Sequence, residues 1–174
     1  MISKKFRPLN IFPCDAYRLD QQKNSGYILF YTAEDINNKD AYTKLIDSGM
    51  HSVNNFFGAS YNKEFNVFVH PNRNSLDSAW QKDWNMPAVK SECWMVTGGI
   101  SNKMDMISPK TRDKEACEHH YAEREKTQQL ITHELVHVFH AQLSSSPDFS
   151  DTEGIDWLWK GWQPMHQVNL IHYA

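Results

Sequence analysis

The stretch Thr132-His133-Glu134-Leu135-Val136-His137 decides how the rest of this sequence is interpreted. It contains the pattern His-Glu-x-x-His, and residues four apart lie on the same face of a helix. His133 and His137 can therefore present two imidazole nitrogens to one metal ion. Zinc prefers such ligands, and a catalytic zinc site keeps an open position for water beside its protein ligands. Glu134 stands next to the two histidines, where its carboxylate can accept a proton from that water.

The residues around this motif predict a buried helix. Lys126-Thr127-Gln128-Gln129 leads into a segment whose circumference is mostly apolar, and Ser144 to Pro147 ends it. The apolar members are Leu130, Ile131, Leu135, Val136, Val138, Phe139 and Leu143. A histidine-rich core helix with hydrogen-bonded imidazoles is the competing interpretation, but the apolar helical setting favours the metal site. His140 shares the face of His133 and His137 and is expected to face solvent or to support the ligands.

The composition predicts one soluble globular domain over residues 1–174, with 40% hydrophobic and 22% charged residues. A net charge of -3 provides no basic surface for nucleic acid or for an anionic membrane. No apolar run reaches the length of a membrane span. Residues 1–8 are basic but lead into no apolar segment, so no signal peptide is predicted. The chain is therefore expected in the cytoplasm, or outside it if this is a piece of a longer exported protein.

Local patterns along the chain predict an α+β fold with a small mixed sheet, one packed helix and the buried helix that carries the motif. The predicted strands span residues 27–31, 65–69, 93–96 and 104–108. An amphipathic helix is predicted from Tyr42 to Phe57, with Gly58 as its C-terminal cap. Other expectations are an irregular lead-in over 1–25, a surface excursion over 76–91 and a solvated helix over 111–126.

A peptide-binding edge is expected next to the metal helix. In this order of elements the strand just before that helix commonly lies at the edge of a cleft, where an extended peptide can add as another strand. Gly98, Gly99 and Ile100 are expected to help form the cleft wall, because glycine permits close approach of another backbone.

The cysteines raise two further questions. Cys14, Cys93 and Cys117 are too few and too scattered for a disulfide framework, so one bridge or three free thiols remain open. Cys117 also precedes the pair His119-His120, which invites a second metal site. Neighbours one apart on a helix do not face each other, and a solvated helix is the better interpretation.

The chain resembles the gluzincin metallopeptidases, in particular small bacterial proteins of the peptidase MA-like group. The resemblance rests on the motif region from Ile131 to His140 and on Gly154-Ile155-Asp156-Trp157-Leu158 downstream. It implies a zincin-like domain that uses zinc to hydrolyse peptide bonds in a peptide or protein substrate. It further implies that His133 and His137 are zinc ligands and that Glu134 is the general base. In that family the third ligand is usually the Glu of a Trp-x-x-Glu-Gly-x-Ala segment on a following helix.

The sequence departs from the family pattern at this third ligand, because the matching segment has Lys160 in place of the glutamate. An ammonium group is not a ligand until it loses its proton. One explanation is that Glu153, or less well Asp156, supplies the carboxylate. A second is a zinc-poor relative that binds peptides without cutting them, which makes a non-catalytic binding module the alternative function.

The third explanation is a shifted reading frame. The triplet across Trp159 and Lys160 must be GAA, a glutamate codon, and the other frame can continue as Glu-Gly-Leu-Ala. This explanation is favoured and predicts that residues 159–174 are a non-native tail. The domain is then incomplete at its C-terminal end, and its peptidase activity is expected to be weak.

Overall fold

A computed structural model describes residues 18–83, 85–100 and 102–143 of the chain. These residues form a mixed α/β structure with a five-stranded sheet and four α-helices, consistent with the predicted α+β class. The strands are β1 (Leu19–Lys23), β2 (Tyr27–Thr32), β3 (Phe65–His70), β4 (Thr97–Ile100) and β5 (Lys103–Ile107). The helices are α1 (Lys39–Phe57), α2 (Arg73–Asp83), α3 (Pro109–Glu115) and α4 (Arg124–Leu143). None of these helices is both long and apolar enough to cross a lipid bilayer.

The sheet has the strand order β1-β2-β3-β5-β4. Strands β2, β3 and β5 run parallel to one another, and the two outer strands are antiparallel to their neighbours. Helices α1 and α4 cover one face of the sheet. Every second residue of a strand points to this face, because successive side chains on a strand lie on opposite faces. The buried core on this face comprises Tyr27, Leu29, Val67, Val69, Met104 and Met106 of the sheet, Tyr42, Ile46 and Val53 of α1, and Ile131, Leu135, Val138 and Phe139 of α4.

Helices α1 and α4 confirm the two helices predicted from periodic apolar residues. Gly58 caps α1 in the left-handed conformation, with φ of 64°, as predicted. The two helices cross closely at Gly49, where an added methyl group would lie 2.6 Å from Leu135 Cδ1. Near this crossing Gln128 Nε2 donates to the carbonyl oxygen of Leu45 at 2.9 Å. The motif helix is thereby held between the sheet and α1.

Helix α2 lies on the opposite face of the sheet and overturns the predicted surface excursion over 76–91. Leu76 and Trp80 stand one helical turn apart and are buried against the sheet. Trp80 Nε1 donates to Asp105 Oδ2 at 3.3 Å. Asn72 Oδ1 accepts from the N–H of Ser75 at 2.9 Å, so the helix also has an N-terminal cap. Leu76 and Trp80 are the only large apolar residues among the eleven of this helix, which was too weak a periodic signal to predict it.

Three other predictions about the elements were wrong. The strand predicted over 93–96 instead spans Thr97–Ile100, because pairing with β5 decides its position. The single helix predicted over 111–126 is divided, since α3 ends at Glu115 and α4 begins at Arg124. Part of the predicted irregular lead-in is β1, a polar edge strand that pairs with β2; the rest of that lead-in, up to residue 17, lies outside the described residues.

The strand just before the motif helix does not lie at the sheet edge as expected. That strand is β5, and it lies between β3 and β4, so β4 forms the edge on the side of α4.

Two contacts hold the segment that leads into β4. Cys93 forms a disulfide with Cys117, which answers the open cysteine question for this pair. The guanidinium of Arg73 donates to the carbonyl oxygens of Glu92, Cys93 and Met95.

Candidate metal site

Helix α4 brings the two motif histidines together. His133 and His137 are one helical turn apart, and their Nε2 atoms are 2.9 Å from each other. Their ring centroids are 4.5 Å apart, with the ring planes at 88°. The two ring nitrogens thus lie close together, as predicted, but at a hydrogen-bonding distance from each other, which the competing interpretation of hydrogen-bonded imidazoles also expects.

Two imidazoles so placed could supply two ligands to a metal ion such as zinc. Zinc–nitrogen bonds of about 2.0–2.1 Å in a tetrahedral site place two ligand nitrogens about 3.3 Å apart. The observed 2.9 Å is shorter than that, so a bound metal would have to replace the contact between the two rings. Burial, followed by the charges of His133 and His140, lowers the pKa of His137 to about 3. The ring of His137 is thus neutral near pH 7, which is the form that binds a metal.

Glu134 follows His133 directly on the same helical turn and is only 8% exposed. Its Oε2 accepts a hydrogen bond from the main-chain N–H of Gly99 in β4, at 2.6 Å. Burial raises the pKa of Glu134 to about 7, while the Gly99 N–H acts in the opposite direction. A carboxyl group with this pKa can accept and return a proton near neutral pH.

Gly99 is the site residue whose role the sequence did not predict. It was expected only as part of a cleft wall, and its backbone does lie directly against α4. A methyl group at position 99 would overlap the main-chain carbonyl oxygen of Glu134. The pair Gly98-Gly99 was the only signal in the sequence, because a close approach of this kind requires glycine.

The described residues supply no third metal ligand beside His133 and His137. Within 18–83, 85–100 and 102–143, no three His, Cys, Asp or Glu residues are grouped so that they could hold a metal ion. The predicted ligand Glu153, its weaker alternative Asp156 and the mismatched Lys160 all fall outside those ranges. The same is true of the predicted non-native tail over 159–174.

The second Cys/His cluster does not form a thiolate metal site. Cys117 is bonded to Cys93, so its sulfur carries no charge for a metal. His120 Nδ1 instead lies 3.7 Å from Asp113 Oδ1. Cys117, His119 and His120 belong to the non-helical connection between α3 and α4. Cys14 lies outside the described residues.

Comparisons with known protein families, with curated proteins and with solved structures found no match to this chain.

Proposed function

We propose that this chain is a zinc-dependent metallopeptidase domain of the zincin type, with His133 and His137 as zinc ligands and Glu134 as general base. The observation that supports the proposal is that His133 and His137 present their Nε2 atoms at one place on helix α4, 2.9 Å apart and within hydrogen-bonding distance, with the buried Glu134 between them in the sequence. Glu153 is proposed as the third ligand, with Asp156 as the weaker candidate.

The chemistry that these residues can perform is hydrolysis of a peptide bond. A bound zinc ion supplies Lewis acidity and makes water a stronger nucleophile. Glu134 takes a proton from the attacking water and delivers it to the leaving amine. Its pKa of about 7 suits both transfers, because the group can be charged before the first and neutral before the second.

The proposed substrate is an extended peptide that adds to β4. This strand forms the sheet edge next to α4, and a sheet edge offers main-chain donors and acceptors to a further strand. The peptide would lie beside Glu134, because Gly99 of β4 contacts that residue. Recognition through the main chain would make affinity depend weakly on the peptide's side chains.

The second candidate is a module of the same fold that binds peptides without cutting them. Lys160 favours it, because an ammonium group stands where the family pattern has its third ligand. Both candidates use the same edge of the sheet. They differ in turnover, and they share binding of an extended peptide.

Zinc content and peptide turnover test the proposal together. The purified chain is dialysed against metal-free buffer and its zinc is measured by mass spectrometry. We expect zinc below one ion per chain, because two imidazoles without a firm third ligand bind it weakly. His133→Ala and His137→Ala should remove this zinc, whereas His51→Ala should not, because His51 is exposed on α1.

Turnover is measured with a mixture of internally quenched peptides at added zinc. Weak hydrolysis that Glu134→Gln abolishes, with zinc retained, supports the peptidase. Peptide binding and zinc binding without hydrolysis support the non-catalytic module. A chain that purifies without zinc and takes up none at added zinc contradicts both.

A further inference from the structure

The ladder between β4 and β5 shows which main-chain groups of β4 point to the open edge. The N–H of Ile107 donates to the carbonyl oxygen of Val96, so these two residues form a hydrogen-bonded antiparallel pair. Hydrogen-bonded and non-hydrogen-bonded pairs alternate along an antiparallel ladder. Gly98 therefore pairs through hydrogen bonds with β5, while the main-chain groups of Thr97 and Gly99 point away from it.

One of these edge donors is already used within the chain. The N–H of Gly99 donates to Glu134 Oε2 at 2.6 Å. The approach is possible because no side chain separates the strand from the helix: a methyl group at position 99 would overlap the carbonyl oxygen of Glu134. The strand edge and the motif helix are thus joined at the carboxylate that we propose as the base.

We propose that the main-chain N–H of Gly99 positions the Glu134 carboxylate for its role as base, and that position 99 requires glycine for this reason. The inference rests on the proposed function. Oε2 is held by the strand, so the Gly99 N–H fixes the orientation of the carboxylate.

The Gly99 amide can be observed by itself in NMR. The chain has seven glycines, and Gly99 alone is preceded by another glycine. Labelling all glycines with ¹³C at the carbonyl and ¹⁵N at the amide therefore gives one signal in an HNCO spectrum, that of Gly99. Its rate of hydrogen exchange reports the hydrogen bond, and its chemical shift reports changes at Glu134.

The first measurement compares amide exchange in metal-free variants. Glu134→Ala should speed exchange of the Gly99 amide roughly ten- to hundredfold, because a hydrogen bond to a charged acceptor is lost. Glu134→Gln retains a neutral acceptor and should give an intermediate rate, which keeps the test valid if the alanine variant folds poorly. Glu125→Ala removes an exposed carboxylate from the same helix and should change nothing. Equal exchange rates in all variants would overturn the proposal.

The second measurement adds zinc chloride and separates positioning from a purely structural contact. In the wild-type chain, zinc should shift the Gly99 signal, because the ion acts on the carboxylate that Gly99 holds. In Glu134→Ala the shift should disappear while zinc, measured separately, still binds. Zinc binding with no response at Gly99 overturns the positioning role and leaves the proposed function standing. If the chain binds no zinc, the proposed function is overturned. Slow exchange of the Gly99 amide would then report a structural hydrogen bond only.

Discussion

Gly99→Ala is expected to destabilise the protein by about 2–5 kcal/mol, whereas Gly98→Ala should cost less, about 0–2 kcal/mol. The two neighbouring glycines form a matched pair, because their missing side chains point to opposite faces of β4. A methyl group at position 99 meets α4, and one at position 98 meets the ring of Trp80 on the α2 side.

The magnitude follows from what each methyl group would contact. At position 99 it would lie 2.9 Å from the carbonyl carbon and 3.2 Å from the Cα of Glu134, and these backbone atoms cannot rotate aside. Either β4 or α4 must move, at a cost of about 1–3 kcal/mol for overpacking. The hydrogen bond from Gly99 to the Glu134 carboxylate is lost as well, worth about 1.5–3 kcal/mol. Replacing a strand glycine returns only about 0.5–1 kcal/mol of chain entropy.

At position 98 the added methyl group would lie 3.0 Å from Trp80 Cζ2. This ring is buried and donates to Asp105, so it yields only in part, but it is still a side chain, whereas the obstacle at position 99 is backbone. Urea unfolding followed by circular dichroism measures both variants under the same conditions. For a chain of this size each kcal/mol corresponds to roughly 2–4 °C in Tm. Equal stability of the two variants, or greater damage at position 98, would refute the close packing of β4 on α4.

Leu135→Ala should cost about 2–5 kcal/mol in urea unfolding, because Leu135 is fully buried between α4 and α1, whereas exposed Leu143→Ala should change little. Reduction of the Cys93–Cys117 disulfide should cost about 2–4 kcal/mol, and equal urea midpoints with and without reductant would contradict this. The pKa of His137 is lowered from an ordinary 6.5 to about 3 in the folded chain. As the pH falls, the His137 ring therefore takes up a proton in the unfolded chain before it does so in the folded chain. Metal-free protein should therefore lose stability as the pH falls from about 6.5 towards 3. The His137→Asn variant should lose less stability over the same pH range. The same pH dependence in both proteins would show that His137 is not the cause.

Elements with a strong local pattern could be predicted from the sequence. Helix α1 has apolar residues at helical spacing and a glycine just beyond its last turn, and both features act within the helix itself. Strands β2 and β3 alternate buried and partly buried residues over their first five positions, and a further buried residue ends each strand. Helix α4 was recognised from its apolar flanks and from the motif. In each case the residues that determine the element lie inside it.

Elements that depend on distant contacts were missed or misplaced. Strand β4 has the sequence Thr-Gly-Gly-Ile, in which two glycines weaken any preference for a strand. Pairing with β5 on one side and packing against α4 on the other keep it extended. Helix α2 likewise depends on two side chains, Leu76 and Trp80, whose burial is decided by the sheet beneath them.

The sequence by itself determined that His133 and His137 share one face with Glu134 beside them, because a spacing of four residues is a property of any α-helix. Only the tertiary structure decided that Glu134 is buried and held by Gly99, a residue 35 positions earlier in the chain. That contact requires β4 to lie at the sheet edge, with its N–H pointing away from β5, and α4 to cross it at a glycine. Such a contact follows from strand order and packing distance, which depend on every element of the sheet and cannot be read from the residues of the motif alone.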